Sequence, residues 1–132
     1  MIVRQLKDIE GTERDVKTET WASRRLILRD DQVGFSVHDT IMKKGTDTMM
    51  WYKNHIEAVY CIEGEGGIED LTTGTVHRIA PGTLYLLNNH DKHRVRPKTD
   101  LRMVCVFNPA CTGQEVHDPS GAYPLLADET PV

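Results

Sequence analysis

The chain has little that would make it a nucleic-acid binder, a membrane protein or a disulfide-stapled scaffold. Its 16 Lys and Arg are outnumbered by 20 Asp and Glu, for a net charge of -4. No basic cluster stands out, so no nucleic-acid partner is expected. No apolar run approaches the roughly 20 residues that a membrane span needs. The opening MIVRQLKDIE is too charged for a secretory signal. Cysteine is scarce and odd in number: Cys61, Cys105 and Cys111, with no CxxC spacing. That argues against a disulfide framework or a zinc ribbon and for a reducing, cytoplasmic compartment. Internal repeats and low-complexity stretches are absent. At 132 residues the chain is expected to form one domain, because that length buries roughly two-thirds of the unfolded surface without staples.

What the sequence does contain is a succession of short β-type runs, at 23–28, 34–42, 48–51, 58–63, 67–70, 76–79, 83–87, 93–96 and 101–108. Turn residues divide them, among them Lys44-Gly45, Thr73-Gly74, Pro81-Gly82 and Asn88-Asn89. Glycine and asparagine supply the positive φ of such turns, and proline presets φ. This spacing predicts an all-β sandwich or barrel. Only the first fifteen or so residues could hold a short helix. Residues 1–124 are expected to form the barrel, and 125–132, with little to pack, a mobile tail.

Strand alternation then sorts the faces. His55, Glu57, Val59 and Cys61 share one face, as do Thr83, Tyr85 and Leu87. His93 goes with Val95, and Leu101, Met103, Cys105 and Phe107 form a fourth set. A single inward face therefore carries Glu57, Tyr85, His93, Cys105 and Phe107. That mixture is too polar for an ordinary core, where charge is costly unless paired or metal-bound.

Two spacings give the pattern a family resemblance. HIEAVYCIEGEG contains Glu57 in an E-(x)6-G frame closed by Gly64. Gly82 opens a second frame in which His93 falls at the histidine position. Together they resemble the cupin family, whose frames read G-(x)5-H-x-H-(x)3,4-E-(x)6-G and G-(x)5-P-x-G-(x)2-H-(x)3-N. The resemblance implies a jelly-roll barrel, a double-stranded β-helix, with a metal inside it. Both histidines of the first frame are missing, their places taken by Met50 and Tyr52 or by Trp51 and Lys53. Glu57 and His93 are the remaining ligands, and Tyr85, inward-facing and three residues after Gly82, is the expected third. Carboxylate, phenolate and imidazole form a donor set suited to iron or another divalent first-row metal. Taken singly, each has an ordinary structural reading: an ion-paired glutamate, a hydrogen-bonded core histidine, a core tyrosine. His55, His77 and His90 are expected at the surface or in support.

The segments CVFNPACTGQEVHDPSGAYP, WASRRLILRDDQVGFSVHDT, NHIEAVYCIEGEGGIEDLTTG and NNHDKHRVRP narrow the match. They resemble the ectoine synthases, from Met1 to about Asp128. The resemblance implies a hydro-lyase that closes N4-acetyl-L-2,4-diaminobutyrate into ectoine with loss of water, with ferrous iron, Fe(2+), as cofactor and a homodimer as assembly. It also implies Glu115, His117 and Tyr52 as catalytic groups, their division into acid and base left open. Trp21, Ser23, Arg25, Thr40, Tyr52, Cys105 and Phe107 become substrate contacts, with Arg25 gripping the carboxylate. His38 stands where a smaller polar residue is expected, and its role is open. Two other readings of the same barrel are a non-enzymatic metal- or small-molecule-binding cupin and an iron-dependent oxygenase. The missing histidine pair argues against the oxygenase, and Glu115 with His117 against a pure binder.

Overall fold

The β-type runs become strands, and the glycines and asparagines between them become the turns. The computed structural model describes residues 1–124; the expected tail, 125–132, lies outside the described residues. In chain order the elements are α1 (Leu6–Ile9), β1 (Asp15–Lys17), β2 (Trp21–Ile27), a single 3-10 turn (Arg29–Asp31), β3 (Ser36–Met42), β4 (Thr48–Met50), β5 (Ile56–Glu63), β6 (Gly66–Asp70), β7 (Val76–Ile79), β8 (Leu84–Leu87), β9 (His93–Pro97) and β10 (Leu101–Asn108). The expected strands all form, and the one helix falls in the first fifteen residues. One strand is an addition: β1, whose Asp-Val-Lys shows no alternation long enough to read, pairs antiparallel with β2.

Two antiparallel sheets face each other. The larger has the order β1-β2-β3-β10-β5-β8 and the smaller β4-β9-β6-β7. The last strand, β10, lies in the middle of the larger sheet, between β3 and β5. Its alternation is complete: Leu101, Met103, Cys105 and Phe107 are buried while Arg102, Val104 and Val106 are only partly so. Met50, Ile68, Ile79 and Val95 of the smaller sheet meet this face across the barrel. Each large apolar side chain enclosed there contributes about 1.5–3 kcal/mol.

Polar residues on the outer face lock the larger sheet. Asp39 of β3 accepts Arg24 Nη2 at 2.6 Å and Arg102 Nη2 at 2.8 Å, joining β2, β3 and β10. Burial raises the Asp39 carboxyl, but Arg102 and Arg24 outweigh it and hold the group below its ordinary range. Arg24 and Arg25 therefore face opposite ways, as strand alternation requires.

Gly64, the closing glycine of the first frame, has φ +93°, and a Cβ there would overlap the Asp100 carbonyl. Gly74 also has positive φ, +77°, but open space around it. Gly64→Ala should cost about 3 kcal/mol or more of unfolding free energy, and Gly74→Ala about 1 kcal/mol. Chemical denaturation checks this; equal losses would show that backbone conformation alone, not the close approach, governs position 64.

Candidate active site

The strand register assembles the site. Across β2, β3, β10, β5 and β8, one row of paired residues is Arg25, His38, Cys105, Val59 and Tyr85. Two residues along on one side the row is Ser23, Thr40, Met103 and Cys61. On the other side it is Ser36, Phe107, Glu57 and Leu87. A spacing of two keeps every member on the inner face. Glu57 and Tyr85 are thus diagonal neighbours on adjacent strands, a separation of about 7–8 Å at the backbone. His93 comes from the facing sheet, where it pairs with Met50.

These rows line a cavity. Its apolar walls are Trp21, Met42, Met50, Met103, Phe107 and Tyr123, and its polar groups are His38, Thr40, Tyr52, Glu57, Tyr85, Cys105 and His117. His93 lines an adjoining groove that shares Tyr85 with the cavity. Eight of the residues singled out from sequence therefore meet at one cavity: Trp21, Thr40, Tyr52, Glu57, Tyr85, Cys105, Phe107 and His117.

Ser23, Arg25 and Glu115 do not line it. Arg25 is fully buried behind the wall, its Nε donating to Ser23 Oγ at 3.2 Å and its Nη2 to the Glu115 carbonyl at 2.6 Å. The expected two-pronged grip on a substrate carboxylate is not how this guanidinium is used: its neighbours are Ser23, Glu115 and the ring of Tyr123. The Glu115 carboxylate accepts Thr112 N–H at 2.7 Å, Gly113 N–H at 2.9 Å and Thr112 Oγ1 at 3.1 Å, and lies 3.6 Å from Arg25 Nη1. It shapes the 112–115 turn and balances the buried guanidinium.

The cavity's own groups are held neutral. Burial raises the Tyr52 and Tyr85 phenols and the Cys105 thiol well above their ordinary values, and the Glu57 carboxyl to about 8. Burial, with the charges of His93 and Arg25, lowers His117 to about 4. Tyr52 Oη and His117 Nε2 are 2.7 Å apart. A protonated phenol against a neutral imidazole is a pair that can take up one proton and release another. His117 also stacks on Tyr123, with ring centroids 4.9 Å apart, which fixes its plane.

Two observations test the fit of a cation to Glu57, Tyr85 and His93. His93 Nδ1 lies 2.8 Å from the Asp91 carbonyl, which only accepts, so Nδ1 carries the proton and Nε2 a bare lone pair. That Nε2 is buried and has no hydrogen-bond partner. Glu57 is 5% exposed and forms no ion pair among the described residues. A buried carboxylate without a cation is costly, and a histidine anchored through its far nitrogen is the usual support for a metal ligand. The donor set fits a divalent metal.

His55, expected at the surface or in support, is buried behind Phe107 and Tyr123 of the cavity wall, with both ring nitrogens lacking a hydrogen-bond partner. It lies with Cys111 and Glu115 in a second group whose donor atoms are within 4.8 Å of one another. Glu115 there is already occupied by its turn and by Arg25. His77 and His90 are exposed, and His90 Nδ1 lies 2.8 Å from the Tyr52 carbonyl. Met42 and Tyr123 escaped the sequence reading, and Met50 was noted only as standing in place of a missing histidine. Met50 was within reach of strand alternation, two residues before Tyr52; Tyr123, in an irregular segment, carried no periodic signal.

Comparison with known proteins decides the family. The family model for ectoine synthase matches residues 1–127. The chain belongs to the ectoine synthase family. It is 62% identical over 128 residues to the L-ectoine synthase of Oceanobacillus iheyensis, covering 97% of this chain and 100% of that one. The Saccharopolyspora erythraea L-ectoine synthase is 59% identical over 129 residues, with coverage of 98% and 96%. The crystal structure of ectoine synthase from P. lautus superposes with a TM-score of 0.87 at 57% identity, covering 96% of this chain and 91% of that one. The chain is accordingly an enzyme, a lyase, on the cupin barrel that the two sequence frames predicted. Among the described residues no helix is long and apolar enough to cross a membrane.

Within this ectoine synthase fold, His117 gives a pH test. Unfolded, it titrates near 6.5; folded, near 4. Between those values the unfolded chain binds a proton that the folded chain does not. Stability should therefore be complete above about 6.5 and fall as pH drops towards about 4. Replacing His117 by glutamine should flatten that part of the profile in urea unfolding. Wild type and variant losing stability in parallel would overturn the assignment.

Proposed function

We propose that this chain is a cytoplasmic L-ectoine synthase that closes N4-acetyl-L-2,4-diaminobutyrate into ectoine and water, with Fe(2+) held by Glu57, Tyr85 and His93. The observation that carries the reading is the conjunction, at one cavity and its adjoining groove, of a buried carboxyl with no ion pair among the described residues, an imidazole with a bare lone pair, and a neutral Tyr52–His117 pair.

The reaction sets definite tasks. The α-amine nitrogen must bond to the acetyl carbonyl carbon of the same molecule. The carbonyl oxygen must then leave as water, its two protons drawn from the nitrogens of the new ring. Glu57, Tyr85 and His93 would hold the iron, which would supply Lewis acidity for this step. The chain's own residues do the rest. Trp21, Phe107 and Tyr123 enclose the acyclic substrate and keep it folded, which makes an intramolecular attack fast. His117, uncharged at physiological pH, and the Tyr52 hydroxyl 2.7 Å from it are the pair assigned to carry protons from the amine to the departing oxygen. Glu115 acts behind the wall, on Arg25 and the 112–115 turn.

The cytoplasmic setting accords with three buried cysteines. A homodimer accords with β1, an open sheet edge, and with the exposed Ile2, Val3, Val33 and Phe35. Sedimentation should give twice the chain mass; a monomer at working concentration would remove the dimer from this account.

The direct test is to incubate metal-loaded protein with the acetylated diamino acid and follow ectoine by chromatography. Glu57→Ala and His93→Ala should each lose bound iron, and with it more activity than the about 10- to 100-fold that loss of a supporting hydrogen bond costs. Full turnover in either variant would show the ligand assignment to be wrong. Absence of product from wild type would eliminate the function.

A further inference from the structure

Of the residues lining the cavity, only His38 leaves a buried side-chain nitrogen or oxygen without a hydrogen-bond partner among the described residues: its Nε2. The other nitrogen explains why. Arg25 Nε lies 3.2 Å from Ser23 Oγ, and a guanidinium only donates, so the serine oxygen accepts. The serine hydroxyl proton then needs an acceptor of its own, and the polar atom it reaches is His38 Nδ1, at 3.2 Å. Ser23 is 1% exposed, which excludes bulk water as the alternative. His38 Nδ1 is therefore the acceptor. Burial, then the charges of Arg25 and His55, lower the imidazole well below its ordinary value, so it carries a single proton. That proton is on Nε2.

A buried donor with no acceptor costs about 1–3 kcal/mol. Here the donor belongs to a side chain that lines a cavity built to receive a molecule. Phe107 packs against the ring, with centroids 5.0 Å apart, and holds its direction. The chain behind it strengthens the donor: a cation feeds a hydroxyl, which feeds an imidazole, and each link polarises the next. Arg25 itself does not line the cavity. Its charge reaches the cavity through Ser23 and His38.

We propose that His38 donates its Nε2–H to the carboxylate of the acyclic substrate, and that Ser23 and Arg25 fix and polarise this donor from behind. The assignment rests on the function proposed above. It gives the substrate carboxylate a partner distinct from the metal ligands and from the Tyr52–His117 proton-transfer pair. His38 is a binding residue in this scheme, and Ser23 and Arg25 are positioning residues.

The test compares wild type, His38→Phe, His38→Gln and Ser23→Ala, all iron-loaded, with N4-acetyl-L-2,4-diaminobutyrate as substrate. Phenylalanine keeps the ring and removes the donor. It should raise KM about tenfold or more, leave kcat within about threefold and leave iron content unchanged, the pattern of lost uniform binding. Glutamine, which restores an N–H at similar reach, should recover most of the affinity. Ser23→Ala releases Nδ1 and should raise KM several-fold. Nitrogen-15 NMR of labelled histidine gives an independent readout: wild-type His38 should carry its proton on Nε2, and Ser23→Ala should admit the Nδ1–H form. Should His38→Phe misfold, the NMR signature and the Ser23→Ala kinetics decide. A wild-type KM in His38→Phe, or a proton on Nδ1 in wild type, overturns the proposal while leaving the proposed function standing. A wild type that makes no ectoine overturns both.

Discussion

A carboxylate sits inside an apolar barrel with no cationic side chain beside it. Around that one cost the inner face of the larger sheet is arranged. Glu57 is placed by its pairing with Phe107 on one side and Leu87 on the other. It cannot move to water without breaking the register of the strands that form the wall. An arginine would have neutralised it and left an inert ion pair. The barrel instead leaves the carboxyl near neutrality, raised to about 8. It aligns a phenol on the next strand and a tautomer-locked imidazole from the facing sheet. A divalent cation offsets the desolvation of such a carboxylate and removes a proton from it at the same time, coupling metal occupancy to protonation.

The fully buried ion pair of Arg25 and Glu115 is kept elsewhere. Both partners are supplied with further hydrogen bonds, the condition under which a buried pair is tolerated. The pair stands one layer behind the cavity and is felt through neutral groups. Ser23 and His38 transmit the guanidinium. The 112–115 turn, tied to Glu115, leads into the segment that carries His117 to Tyr52. Removing either charged partner would leave the other buried without compensation, so this pair belongs to the architecture of the site even though neither residue lines the cavity.

Much of this was legible because strands report their faces. The alternation Leu101-Met103-Cys105-Phe107 is read directly, and the observed burial follows it residue by residue. Glu57 and His93 stood out because two spacings fit a known frame at once, and Tyr85 followed from its face. Where the chain is irregular the same reasoning fails. Residues 112–124 contain no strand, so nothing in the order Glu115, His117, Tyr123 says that the carboxylate turns inward to its own loop while the two rings stack at the cavity. Arg25 was placed on the correct face but in the wrong employment. Alternation tells which side of a sheet a residue occupies, not whether a partner such as Glu115, ninety residues away, has already claimed it. For His55 the sequence left surface and support open: its inward parity was visible, but the cysteine and glutamate that surround it come from the irregular segment.

The neutrality of the cavity has a consequence for selectivity. His38, Tyr52, Cys105 and His117 are each shifted towards the uncharged form by the same cause, loss of water. In such surroundings a fixed dipole acts on a charge far more strongly than it does in solvent. A ligand carboxylate entering beside the His38 N–H, or a developing charge on an acyl oxygen, therefore meets little solvent screening. A wall of charged residues would bind many ions and discriminate among them poorly. A neutral wall with its donors aimed by hidden charges rewards only a molecule whose polar atoms fall on those donors. By that logic, discrimination between the acyclic substrate and its cyclised product is read at the few polar groups that face the space, and the residues that aim them lie out of the ligand's reach.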